Sequence, residues 1–183
     1  MKPVLREDLV DYQTYEEIRP ALRQEVLAAK AARRVHVGAY LTFLFENTLT
    51  IRYQIQEMMR AERIVKERAV LHELETYNAL LGGPGELGCT LLIEIDDPLV
   101  RAVRLQEWYD LPEHVYVRTQ DGTRVSASFD KTQRGDGRLS SVQYLKFSMA
   151  GRVAVGAGVD LPGLAAEVTF SAEQRAALAA DLA

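Results

Sequence analysis

The sequence predicts an α+β fold: a mostly antiparallel sheet packed with several helices, in a single domain over 1–183. Three observations predict it. Apolar residues alternate with period two in several short runs, the mark of strands lying on a core. Helical 3.6-residue periods separate these runs at irregular intervals. Asp121 and Gly122 sit between two alternating runs, the signal of a tight hairpin. A length of 183 residues suits one domain.

Thr14 and Glu17 have capping-box spacing, and Ile18, Leu22, Val26 and Ala29 follow a helical period. Pro20 either kinks this helix or opens its regular part. The helix is expected to end near Arg33 and Arg34, whose charges suit a C-terminal dipole. Residues 35–46 read as one long strand: Val35, Val37, Ala39, Leu41, Phe43 and Phe45 form a wholly apolar face. On such a strand His36 and Glu46 lie about 33 Å apart, too far to share a site. Asn47 is the expected N-cap of a helix running to about Ile64. A further helix over 66–81 places Val70, Leu74, Tyr77 and Leu81 on one stripe, and the Gly82, Gly83, Pro84, Gly85 cluster ends it.

The second half is richer in strands, and a helix closes it. Residues 89–96 form one strand, and Asp97 caps a helix opened by Pro98. Residues 114–119 and 123–129 form the hairpin. A three-residue loop with Gly122 left-handed pairs Val117 with Val125 and Val115 with Ala127, a better apolar match than a two-residue turn gives. Residues 132–139 read as a mobile loop, and 141–149 and 165–170 as further strands. Ser171 and Gln174 form a capping box for a closing alanine-rich helix.

Composition excludes several classes of function. Hydrophobic residues are 48% and charged residues 26%, too ordinary for disorder. A net charge of −4 supplies no basic field for nucleic acid. The longest uncharged stretch near the start, 35–45, is too short to span a membrane, and no signal-peptide core is visible. A cytoplasmic protein is expected. One cysteine, Cys89 in an apolar run, allows neither an internal disulfide nor a Cys/His zinc site or iron–sulfur cluster. No cofactor is expected. Five of the 22 basic residues are lysine and the rest arginine, a bias toward a side chain that binds carboxylates through two parallel hydrogen bonds.

The helix after Asn47 carries the candidate site. Ile51, Ile55, Met58 and Met59 fall on one side, with Leu49, Tyr53 and Ile64 roughly opposite. Two polar stripes separate them: Thr50, Gln54 and Glu57, and Arg52, Gln56, Arg60 and Arg63. Two apolar sides imply a helix packed on both flanks, with a polar stripe partly enclosed. The candidate binding residues are therefore Glu46, Thr50, Gln54, Glu57, Arg60 and Arg63. Three readings fit: a surface for a partner enzyme or small anion, an enzyme with Glu57 as acid or base and Arg60 as anion clamp, or a homodimer contact. Glu94 and Asp96, on one face at a strand end, are a weaker candidate for a divalent cation. His72 reads as solvated, and His114 has no ligand-spaced neighbour.

The stretch KAARRVHVGAYLTFLFENTLTIRYQIQEMMRAERI, 30–64, resembles a family of bacterial proteins known only as a domain of unknown function. FEN followed by T, then QIQEM and R-x-E-R, carry the resemblance, and HELETYNALL, LLIEIDDP and VQYLKF extend it over nearly the whole chain. The resemblance implies a single-domain cytoplasmic protein encoded beside rubrerythrin and an iron–sulfur oxidoreductase similar to heterodisulfide reductase subunits. It therefore implies a place in peroxide defence or electron transfer, with those redox proteins as partners. The family has no established catalytic residues to carry over.

Overall fold

The computed structural model describes residues 1–135 and 137–183. Helix α1 spans Tyr12–Ala31 and runs through Pro20. Asp11, not Thr14, caps it: the carboxylate accepts from the N–H groups of Gln13 and Thr14, and the Thr14 hydroxyl itself donates to Asp11 at 2.7 Å. The expected long strand is two strands, β1 (Arg34–Val37) and β2 (Leu41–Glu46), folded into a hairpin with Val37 opposite Leu41. Gly38, at φ +63°, begins the turn. His36 therefore faces Thr42 rather than lying at the far end of an extended run from Glu46.

Asn47 caps α2 (Thr48–Ala61) in a full capping box with Thr50. The helix stops short of Ile64. Arg63 adopts φ +52°, its N–H donates to the Arg60 carbonyl, and the Ile64 N–H reaches back to the Met59 carbonyl at 2.9 Å. This is a left-handed helix stop, and it swings Ile64 onto the Ile51, Ile55 and Met59 side. Glycine is the residue that takes this conformation without steric cost. Arg63→Gly is thus expected to raise stability by about 1 kcal/mol in urea unfolding; an unchanged midpoint would mean that the arginine bears no strain.

Helix α3 (Glu67–Asn78) leads through the glycine turn into β3 (Glu86–Ile93). Helix α4 (Pro98–Glu107) starts at its Asp97 cap. Strands β4 (Val115–Thr119) and β5 (Arg124–Ser126) form the bulged hairpin, with Val117 opposite Val125 and the Ala127 N–H bonded to the Val115 carbonyl. Gly122, at φ +85°, supplies the left-handed position. Strands β6 (Val142–Ser148), β7 (Ala154–Val159) and β8 (Ala166–Thr169) follow, then α5 (Ala172–Leu182) behind its Ser171/Gln174 box. Of the expected mobile loop, Asp136 lies outside the described residues. On its two sides the chain is anchored: Arg134 bonds Glu113 at 2.9 Å, and buried Leu139 donates to the Leu105 carbonyl.

All sheet pairings are antiparallel. One sheet has the order β1-β2-β3-β6, the other β5-β4-β7-β8. Their facing sides share one apolar core, including Phe43, Phe45, Leu91 and Phe147 from the first sheet and Val117, Ala157 and Val159 from the second. Ser128 and Lys146 exchange two backbone hydrogen bonds of 2.8 Å and join the sheets along one margin. Trp108 and Leu111 cover one part of this core, and Phe170 and Leu178 another. A smaller cluster of Val4, Leu9, Ile51, Ile55, Met59, Val70 and Leu81 holds the N-terminal segment, α2 and α3 together. These helices lie over the outer face of the first sheet. No helix among the described residues is long and apolar enough to cross a membrane.

Candidate functional site

Pleating sends Phe43 and Phe45 into the core and turns Thr42, Leu44 and Glu46 toward the helices. Register continues this outer face: Arg34, Leu44, Thr90 and Tyr144 form one row across β1, β2, β3 and β6. Glu46 ends β2 and immediately precedes the cap of α2, so strand and helix both fix it. The residue is only 7% exposed. The Thr50 hydroxyl donates to Oε2 at 2.6 Å and the Thr90 hydroxyl to Oε1 at 2.7 Å. Thr50 stands in the first turn of α2 and accepts the Asn47 N–H at 3.0 Å. Two hydroxyls, rather than a cation, satisfy this buried carboxylate, an unusual arrangement for a charge that burial penalises.

Glu46 and Thr90 lie at the floor of a cavity of about 330 Å³. Helix α2 contributes Thr50 and Gln54 to its wall, and α3 with the following turn contributes Tyr77 and Leu80. Lys30 and Arg34, at the end of α1 and the start of β1, stand at its edge. Burial, then neighbouring Tyr77 and Glu46, push the Tyr144 hydroxyl up, so it stays protonated on the cavity wall. Gly88, beside Glu46 in the register, is what lets the roof approach: a Cβ there would collide with the Leu80 carbonyl oxygen. A larger depression of about 670 Å³ runs between 1–2 and 180–183. Its one acidic side chain, Asp181, is already bonded to Arg33.

The six sequence candidates separate into three places. Glu46, Thr50 and Gln54 line the cavity. Glu57 and Arg60 lie instead at the contact of α1 with α2. The Tyr15 hydroxyl donates to Glu57 at 2.6 Å, Arg19 donates two bonds of 2.7 and 3.1 Å, and Arg60 adds one of 3.4 Å and reaches Glu16 at 3.3 Å. Burial alone would raise the Glu57 pKa; the Arg19 and Tyr15 hydrogen bonds outweigh it and bring it down to about 2. Arg63 is the exposed left-handed stop described above. The stripe divides because three residues from Gln54 to Glu57 turn the helix about 60° away from the sheet, toward α1.

Thr90, Tyr77, Tyr144, Lys30 and Arg34 escape sequence reasoning. Only Thr90 leaves a local signal, as a lone hydroxyl among the apolar residues of β3. The weaker cation candidate resolves differently. Glu94 accepts from the Thr42 hydroxyl at 2.5 Å, and the same oxygen lies 2.7 Å from His36 Nδ1. Asp97 serves as the cap of α4. Among the described residues no three His, Cys, Asp or Glu side chains gather to hold a metal ion. His72 is exposed, and His114 bonds Asp160 at 2.9 Å. Cys89 is buried, and burial, with the Glu46 charge adding, pushes its thiol well up.

Fold and cavity together define an α+β protein of two packed antiparallel sheets, with a polar cleft between one sheet and a helical layer. The chain belongs to DUF3501, a family of proteins of unknown function, which it matches over residues 3–182. It is similar in structure to a novel protein of unknown function from Burkholderia pseudomallei K96243, solved by crystallography. The TM-score is 0.91 at 29% identity, and the match covers 100% of both chains. No curated protein matches the chain.

Proposed function

We propose that this protein is a binding protein that holds a small molecule in the cavity between α2, α3 and the first sheet, with Glu46 as the anchoring group. One observation carries the proposal: a glutamate only 7% exposed lines a 330 Å³ cavity, and hydroxyls satisfy its carboxylate. A buried charge held this way keeps acceptor capacity for a ligand. The volume falls at the lower end of small-molecule pockets, about 300–1,000 Å³. Glu57 is committed to three donors, which favours a structural role for it over an acid, base or anion clamp.

In the redox setting implied by the family resemblance, we place the protein as a cytoplasmic accessory factor. Its partner, such as rubrerythrin or an iron–sulfur oxidoreductase, would carry the electrons. The burial of Cys89 supports that division of labour. Native mass spectrometry of the purified protein with a panel of small metabolites tests the binding proposal. Wild type is expected to retain an adduct that Glu46→Gln loses by at least tenfold. Equal retention by both, or no adduct at all, would overturn it. The same spectra report whether the chain forms the expected homodimer.

A further inference from the structure

The charges around the cavity are arranged by sign. The buried carboxylate of Glu46 lies at the floor. Each of its oxygens takes one hydroxyl hydrogen, leaving a second acceptor direction on each. The two cations lie at the edge, on the α1/β1 side. Lys30 stands over the Tyr53 ring at 5.7 Å, and neither Lys30 nor Arg34 is paired with a carboxylate among the described residues. Arg34 faces Leu44 in the register, and Glu46 lies two residues further along β2. Two residues of strand and one strand spacing put the two backbones about 8 Å apart on the diagonal. Leu44 lies between them, and Leu92 with Val142 continues the apolar lining one row further from Glu46. Tyr77 and Tyr144 add aromatic rings suited to a cation.

We infer that the ligand is a short amino acid of the ω type, its ammonium group on Glu46, its acid group on Lys30 and Arg34, and a few methylenes between. The inference rests on the reading of the cavity as a small-molecule site and names the class of molecule it takes. A simple amine would leave Lys30 and Arg34 without an anion, and a simple acid would leave the second acceptor direction of each Glu46 oxygen unfilled. The cavity has room for about ten to fifteen non-hydrogen atoms at liquid-like density. That suits such a molecule and is small for a nucleotide.

The test is titration of the full chain, followed by the methyl NMR signals of Thr50 and Thr90, with glycine, 4-aminobutyrate, 5-aminovalerate, 6-aminohexanoate, n-butylamine and valerate. At least one of the three longer amino acids is expected to bind tenfold or more tightly than either n-butylamine or valerate. Glu46→Gln should weaken amino acid and amine tenfold or more and leave valerate unchanged. The Lys30→Ala/Arg34→Ala double variant, at the cavity edge, should weaken amino acid and valerate and leave the amine unchanged. Binding no tighter than the simple amine or acid, or insensitivity to both sets of substitutions, would overturn the inference. If a neutral or purely anionic metabolite moves the two threonine signals and no amino acid does, the inference fails and the binding proposal stands. If no small molecule moves them, both fail.

Discussion

Asp181→Ala is expected to cost about 3–4 kcal/mol in urea unfolding, the loss typical of a buried ion pair deprived of one partner. Asp181 receives two parallel bonds from Arg33, of 2.7 and 2.8 Å. The side chains are only 11% and 7% exposed. Arg33 also donates to the Ala29 carbonyl at 3.0 Å, so its guanidinium is held at the end of α1 whether or not the aspartate is present. Removing the carboxylate then leaves a held, desolvated cation with no counter-charge. The pair spans 148 residues of sequence and ties α1 to α5. Breaking it also loosens the helix that places Leu178 in the core. The cost belongs to the unpaired charge, so Arg33→Met together with Asp181→Leu should recover most of it. A loss below about 1 kcal/mol for Asp181→Ala would show that water reaches the site and screens the pair.

Glu57→Ala is expected to cost about 2 kcal/mol at neutral pH, for a related reason and with a distinct pH signature. The Tyr15 ring is fully buried, and its hydroxyl would lose its acceptor, as would Arg19. Glu57 is lowered in the folded protein from 4.5 to about 2. The unfolded chain therefore takes up this proton first as pH falls. The stabilisation is present in full above about pH 5 and declines as pH falls through 4.5. Little of it is left at pH 2, where the unfolded chain is protonated and the folded carboxyl half so, and it vanishes below that. The difference in stability between wild type and Glu57→Ala should follow that curve. A difference that stays constant down to pH 2.5 would show that the effect is packing rather than charge.

What the sequence discloses is local, and what it conceals is assembled from distance. Asn47 as a cap and the bulged register of Val117 with Val125 depend on residues a few places apart, and both are found. The break in 35–46 is invisible in the sequence for a geometric reason. The turn at 38–40 holds three residues, so Val37 and Leu41 stay on the same odd parity and the alternation continues across a reversal of direction. Strand β7 is hidden because Gly156 and Gly158 look like loop residues. They are required where they stand: a Cβ on Gly158 would lie 2.5 Å from the Tyr116 hydroxyl, and one on Gly156 2.6 Å from the Val168 carbonyl. Half of the candidate site is legible, through Glu46, Thr50 and Gln54, because one cap and one helix turn bring them together. Arg34, Thr90 and Tyr144 reach it only through sheet register, and Lys30 only through the packing of α1 beside α2, neither of which any spacing along the chain encodes.

The order β1-β2-β3-β6 has a consequence for how fast the fold can form. Strand β3 must find β6 across the intervening residues 94–141, while β4 and β5 from that interval pair with each other and join β7 in the other sheet. Helices can form early and locally, but closing that loop costs chain entropy before any ladder bond between β3 and β6 offsets it. The Thr90 hydroxyl beside Glu46 and the Tyr144 wall meet only when that pairing is made. Appearance of the cavity is therefore a report on the slow, long-range step of folding rather than on helix formation.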